Sequence, residues 1–265
     1  MEILIPIALI VGGLGAIFYL RKKAQNDVLE IKYMQTKSIS ELNDMFKQMD
    51  ETGLGNDYRE FVELKGNIVS NSPVTTPFSN RQVAYCNSEV TQVTEIKEQY
   101  KDSNGHYQTR VNKVETPISN EKSSQDVSIA DSSSQEPVVL EINSTGCKLD
   151  IPKTFDRFEP KSNLSNYRYF NSFSFDKFGA DTLGFKMTEK TIENNQNLYV
   201  IGEAFRVGNT IHIGKPMDSK KPFIVTTKSE EDLINNSNQK SLFFLIGGIA
   251  AIIIGLVKFI ALFTK

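Results

Sequence analysis

The sequence has no tryptophan, two cysteines, two histidines and almost no net charge. Without tryptophan, a membrane-embedded chain has no aromatic girdle of the usual kind. A formal charge of −2 removes the basic footprint that nucleic-acid binding needs, so no nucleic-acid partner is expected. Cys86, Cys147, His106 and His212 can supply one tetrahedral zinc site at most. Either histidine could act as a general base, yet no G-x-S-x-G nucleophile motif accompanies them. Glycine-rich phosphate loops are missing too, because Gly12, Gly13 and Gly15 fall inside an apolar run. No cofactor, no metal and no catalytic residue are expected.

Long apolar runs are what the chain does have. Ser241–Phe263 carries a single charge, Lys258, and as a helix it reaches roughly 34 Å, enough for a hydrocarbon core of about 30 Å. Lys258 lies near its far end, where its stem can reach the headgroups. A second uncharged run, Ile3–Leu20, is followed at once by Arg21, Lys22 and Lys23. A cleaved signal would put the basic residues first, so this reads as a retained anchor. Arg21, Lys22, Lys23 and Lys240, set against Lys258 and Lys265, orient the chain with its central region cytoplasmic and both termini outside. The glycines Gly12, Gly13 and Gly15 are expected to pack against Gly247, Gly248 and Gly255, and the spans could also carry a homo-oligomer.

Between the runs the pattern predicts an α+β domain, mainly antiparallel, with a few short helices. Residues 24–56 read as a helical membrane-proximal segment. Ser38 and Glu41 fit a capping box, and Leu42, Met45, Phe46 and Met49 form one face. The domain proper is expected over 58–236. Strands are predicted around Phe61–Ile68, with a bulge or turn at Gly66, and over Arg81–Ile96. A hairpin turning at Asn104-Gly105 follows, and a second turns at Gly208-Asn209. Residues 116–137, rich in serine, are expected to be a disordered insert outside the packed unit. The aromatic run between Lys153 and Gly179, with Arg157, Arg168 and Lys177 interleaved, reads as a core wall or partner surface. A short helix capped by Thr227 or Ser229 should feed the last span.

The ordered blocks SISEL, VELKGNIVSNSPVTTPFSNRQVAYCNSEV, EINSTGCKLDIP, GFKMTEKTIENNQNLYVIGEA and PFIVTTKSEEDLI, between two anchor runs, resemble the GIDE or "beside a membrane" (BAM) domain. In the family this is the loop between the two spans of mitochondrial membrane-anchored RING ubiquitin ligases and their chloroplast and prokaryotic relatives. The resemblance implies a function near E3 ubiquitin ligases. A RING, however, needs eight Cys and His ligands for two zinc ions, and these residues contain four. The sequence continues only two residues past Phe263, so the ligase chemistry is not expected within it.

Three residues remain as binding candidates. Glu189, Glu203 and His212 flank or face the predicted strand Leu198–Gly202. Carboxylates there could hold a cation, work as an acid/base pair, or be ordinary hydrogen-bond acceptors. Glu203 directly follows a buried apolar run and needs a partner. Cys86 and Cys147 are free thiols if the domain is cytoplasmic; outside, they can pair if their Cα atoms approach within about 7 Å. The expected function is a membrane-anchored sensor or adaptor that binds an unknown protein or small molecule at the bilayer. The alternatives are a recruiter of a separate ligase chain and a tethered hydrolase or transferase using Glu203 with His212 or Glu189.

Overall fold

A computed structural model describes residues 3–22, 34–55, 57–167, 169–170, 179 and 181–263. Lys23, Arg168, Lys177, Lys265 and residues 24–33 of the expected membrane-proximal helix lie outside the described residues. The chain divides into two units, one of residues 1–36 with 228–265 and one of residues 37–227.

In the first unit, helix α1 (Leu4–Gly15) passes through a π-helical stretch, Ala16–Leu20. The second helix of the unit runs without a break over Glu230–Phe263, in place of the expected short helix feeding a separate span. Ser229 caps its start: Ser229 Oγ accepts from the Asp232 amide at 3.1 Å. This helix is long and apolar enough to cross a membrane; Leu4–Leu20 forms a shorter apolar helix. The two pack antiparallel through glycine. A Cβ at Gly13 would lie 2.6 Å from Gly248 O, and one at Gly255 would lie 2.9 Å from Pro6 O. Gly12, Gly15 and Gly247 face open space, so only half of the six expected glycines make the contact.

The second unit holds helix α2 (Ile39–Glu51) and, with the two-residue strand β1 (Thr36–Lys37) at its entry, the strands that follow. These are β2 (Arg59–Val69), β3 (Val74–Thr75), β4 (Gln82–Val83), β5 (Tyr85–Lys101), β6 (Tyr107–Lys122), β7 (Val127–Ala130) and β8 (Val138–Leu140). Then come β9 (Cys147–Asp150), β10 (Lys153–Pro160), β11 (Thr182–Ile192), β12 (Asn197–Val207), β13 (Thr210–Gly214) and β14 (Phe223–Thr226). By the same order, Glu230–Phe263 is α3.

Strand pairing closes a barrel. β2 pairs with β7, β7 with β8, β8 in parallel with β13, β13 with β12, and β12 back onto β2. Alternation along these strands sends Val62, Leu64, Ile68, Val127, Ile129, Val138, Leu140, Val200, Ala204, Ile211 and Ile213 into one core. Gly66 makes no turn. A Cβ there would lie 2.4 Å from Ala130 O, so glycine is what lets β7 come close enough to pair. β14 extends the barrel wall alongside β12, and β9 adds to β14 in parallel.

The serine-rich stretch is not a disordered insert. Its first part continues β6, and its second is β7, whose Val127 and Ile129 are fully buried. Its serines and acids serve α2. Besides the Ser38–Glu41 capping box, the Ile39 amide donates to Asp131 Oδ2 at 2.9 Å and the Ser40 amide to Ser133 Oγ at 3.0 Å. The helix start therefore has acceptors from two places. Ile39, Leu42 and Phe46 of α2 belong to the barrel core, and the Phe46 ring meets Tyr58 edge-on at 5.1 Å. The expected separate helical segment is thus, in its described part, a component of the domain.

A four-stranded antiparallel sheet, in the order β10-β11-β5-β6, forms the remaining layer. One face carries a second cluster of Phe78, Val90, Leu164, Phe170, Phe185 and Met187. Phe155, Tyr167 and Tyr169 from the aromatic run pack against it, so in its described part that run is a core wall.

Candidate functional site

Glu189 projects from β11 and is fully buried. Its carboxylate accepts from the Phe78 amide at 2.6 Å, the Ser79 amide at 3.2 Å and the Ser79 hydroxyl at 2.5 Å. These donors belong to a turn closed by Thr76 and Arg81, with Asn80 in the left-handed region at φ 54°. A carboxylate holding several donors in a buried place anchors a loop. It lies in a different sheet from the other two candidates.

Glu203 and His212 do share a surface. In the β12–β13 ladder Glu203 stands opposite Gly214 and Phe205 opposite His212, which puts both candidates on the outer face of the barrel. Glu203 finds its partner in Arg59, whose Nη1 donates to Oε1 at 2.8 Å; the Met217 amide donates to Oε2 at 3.3 Å. The Arg59 guanidinium also lies 4.9 Å from the Phe205 ring centre. His212 Nδ1 shares a hydrogen bond with Glu141 Oε1 at 2.7 Å, and its ring lies 5.9 Å from that of Phe205. The strip therefore reads Glu203–Arg59–Phe205–His212–Glu141. Each titratable group has its own partner, and no hydroxyl or thiol belongs to the network. It is built to be rigid and polar, and it has no nucleophile to activate.

The four Cys and His residues of the sequence are not gathered into a zinc site. Cys86 pairs with Thr191 in the four-stranded sheet, whereas Cys147 pairs with Phe223 in the barrel extension. His106 is at an exposed hairpin end, and His212 is engaged with Glu141. Among the described residues no group of three or more His, Cys, Asp or Glu is placed to hold a metal ion. Burial pushes the Cys86 thiol up to about 12, with the nearby Glu189 adding to it, and the Cys147 thiol up to about 11. Both are free thiols in this structure.

A concavity among the described residues lies elsewhere, and sequence reasoning missed it. A cleft of about 730 Å³ opens between α2, the loop before β8 and the β12–β13 hairpin. One helix face supplies Asn43, Asp44, Lys47 and Asp50, at spacings that place them in a single row. Arg206 also lines the cleft. Its guanidinium pairs with Asp50, its Cζ lies 5.6 Å from the Phe46 ring centre, and its side chain is 16% exposed. Arg206 Nε is buried and makes no hydrogen bond among the described residues. The only sequence signal was the polar row on α2 opposite the Leu42–Phe46 face. Nothing local brought Arg206 to it. Of the orienting cluster, Arg21 and Lys22 continue the first helix.

No curated protein matches the chain, and no solved structure matches it. A family model does: GIDE, described as E3 Ubiquitin ligase, matches residues 95–259. That match runs from the middle of β5 through the barrel's closing strands into α3, more than half of the sequence. The chain belongs to the GIDE family.

Proposed function

We propose that this chain is a membrane-anchored binding domain, a sensor or adaptor within an E3 ubiquitin ligase-related family, which holds a ligand or protein partner beside the bilayer. The observation that carries this reading is the cleft beside α2. It is concave, and Asn43, Asp44, Lys47, Asp50 and Arg206 give it a polar lining. The three residues singled out from the sequence are engaged with separate partners, which favours binding over catalysis.

The anchoring proposed has two spans, Leu4–Leu20 and the apolar part of α3, with Arg21, Lys22 and Lys23 on the cytoplasmic side and both termini outside. A 17-residue apolar helix covers only about 26 Å, so this arrangement requires local thinning of the bilayer at the first span. Compartment-sensitive reporters after Lys265 and in the Asn104-Gly105 turn test it. The reading expects the C-terminus outside and the turn in the cytoplasm; the reverse result overturns the orientation.

The cleft is tested by a photo-crosslinking amino acid at Asn209 or Gln135 in the full membrane-embedded chain. A discrete adduct at these positions, absent from Asn104 and lost in Lys47→Glu, is the expected result. Adducts at Asn104 equal to those at Asn209, or none at either cleft position, would count against the cleft.

A further inference from the structure

β6 is the outer strand of its sheet, and among the described residues no strand pairs with its far edge. From Tyr107 to Pro117 it is almost wholly exposed, with Tyr107 at 71%, Val111 at 52% and Val114 at 39%. Beyond the end of β11, at Thr182 opposite Thr94, the β5–β6 hairpin continues as a bare two-stranded ribbon. Such a ribbon is marginal in isolation, and a long open edge is a template for another strand.

The sequence of this edge fits itself. In a two-fold antiparallel pair one residue must stand opposite its own copy, because side chains alternate faces along each strand. Centring on Lys113, Arg110 or Glu115 brings like charges together. Centring on Asn112 sets Lys113 and Arg110 against valines. Centring on Val114 sets valine on valine and places Lys113 opposite Glu115 twice, once on each side of the axis. The backbone permits it. The Asp102 amide donates to His106 O at 2.9 Å, and counting from that pair turns the amides of Lys113 and Glu115 away from β5, toward the open edge. Pro117, which has no amide hydrogen, falls on the same outward phase, as proline in edge strands does.

We propose that β6 is a homodimerisation edge, where two copies of this chain join antiparallel about Val114 with Lys113–Glu115 pairs on both sides. The occupant is a second copy because Lys113 and Glu115 of this edge complement each other in reversed order. The proposal does not depend on the cleft or on what the cleft binds.

Cysteine scanning of the full chain in membranes, followed by mild oxidation with copper–phenanthroline, reads the register directly. Val114→Cys places two thiols on a non-hydrogen-bonded pair with Cα atoms about 4.5 Å apart, within disulfide reach. It should give a disulfide-linked dimer in at least about threefold higher yield than Val111→Cys or Asn112→Cys, whose copies stand off the axis. The unsubstituted chain, with Cys86 buried and Cys147 half-buried, sets the background. Glu115→Lys should weaken the dimer roughly fivefold by turning two attractive cross-strand pairs repulsive, and Lys113→Glu/Glu115→Lys should restore it. Equal yields along the edge, or a dimer that Glu115→Lys leaves unchanged, would overturn the proposal and point to association through the spans. Absence of any Val114→Cys dimer in folded protein would overturn it as well.

Discussion

Glu189 and Asp131 do comparable work in different settings, each collecting backbone amides from a remote segment. Glu189→Ala strands the Phe78 and Ser79 donors in a buried place, and the cost should be about 3 kcal/mol, against less than about 0.5 kcal/mol for the exposed Glu193→Ala. Denaturant unfolding of the two variants in detergent checks the contrast. Asp131→Asn weakens a cap on α2, and about 1 kcal/mol should be lost at neutral pH. Burial opposes ionisation of Asp131, but the hydrogen bonds from Ile39, Ser133 and Ser134 outweigh it and hold the carboxyl below its ordinary range. A depressed folded pKa gives stability that is present above the unfolded pKa, about 3.9, and is lost as pH falls through the folded value. The Tm gap between wild type and Asp131→Asn should therefore be full at pH 7 and shrink steadily below pH 4. At this scale the sequence was half legible. Glu203 announced its need for a partner by following a buried run, and Arg59 answers it. Glu189 gave no such sign, because its donors come from a loop more than a hundred residues earlier.

Elements marked by local chemistry were readable: the capping box of α2, the Asn104-Gly105 turn with Gly105 at φ 82° and the Gly208 turn at φ 60°. What misled was composition. Ser133 and Ser134 look like filler, yet they bond to Ser40 and Asn43 of α2. The period-two signal of Val127 and Ile129 was too short to stand out beside them. An insertion at Ser133 should accordingly destabilise the domain, while the same insertion at Gly105 is tolerated; thermal unfolding of the two variants distinguishes them. The helical unit makes an equally sharp contrast. Gly248→Leu drives a side chain into Gly13 O and Ile17, whereas Gly247→Leu points into open space. Hydrogen exchange of the α1 amides should rise in the first and stay unchanged in the second.

For the molecule as a whole, the closed barrel is what sequence periodicity could not supply. The β8–β13 pairing is parallel and joins segments far apart in the chain, and no local pattern encodes it. Burial of Cys86 and partial burial of Cys147 follow from the completed fold. Maleimide labelling of Cys86 and Cys147 should be slow at pH 7.5 in folded protein and quick once it is denatured; quick labelling of both in the folded state would contradict the packing.

Closure also sets a timetable for synthesis. β2 leaves the ribosome soon after α1, but its barrel neighbour β12 begins at Asn197, and the ring has no seal until then. At roughly 5–20 residues per second this is a delay on the order of ten seconds, during which Val62, Leu64 and Ile68 have no core to enter. A nascent chain in this state is a client for chaperones. Truncation anywhere before β12 should leave it permanently one.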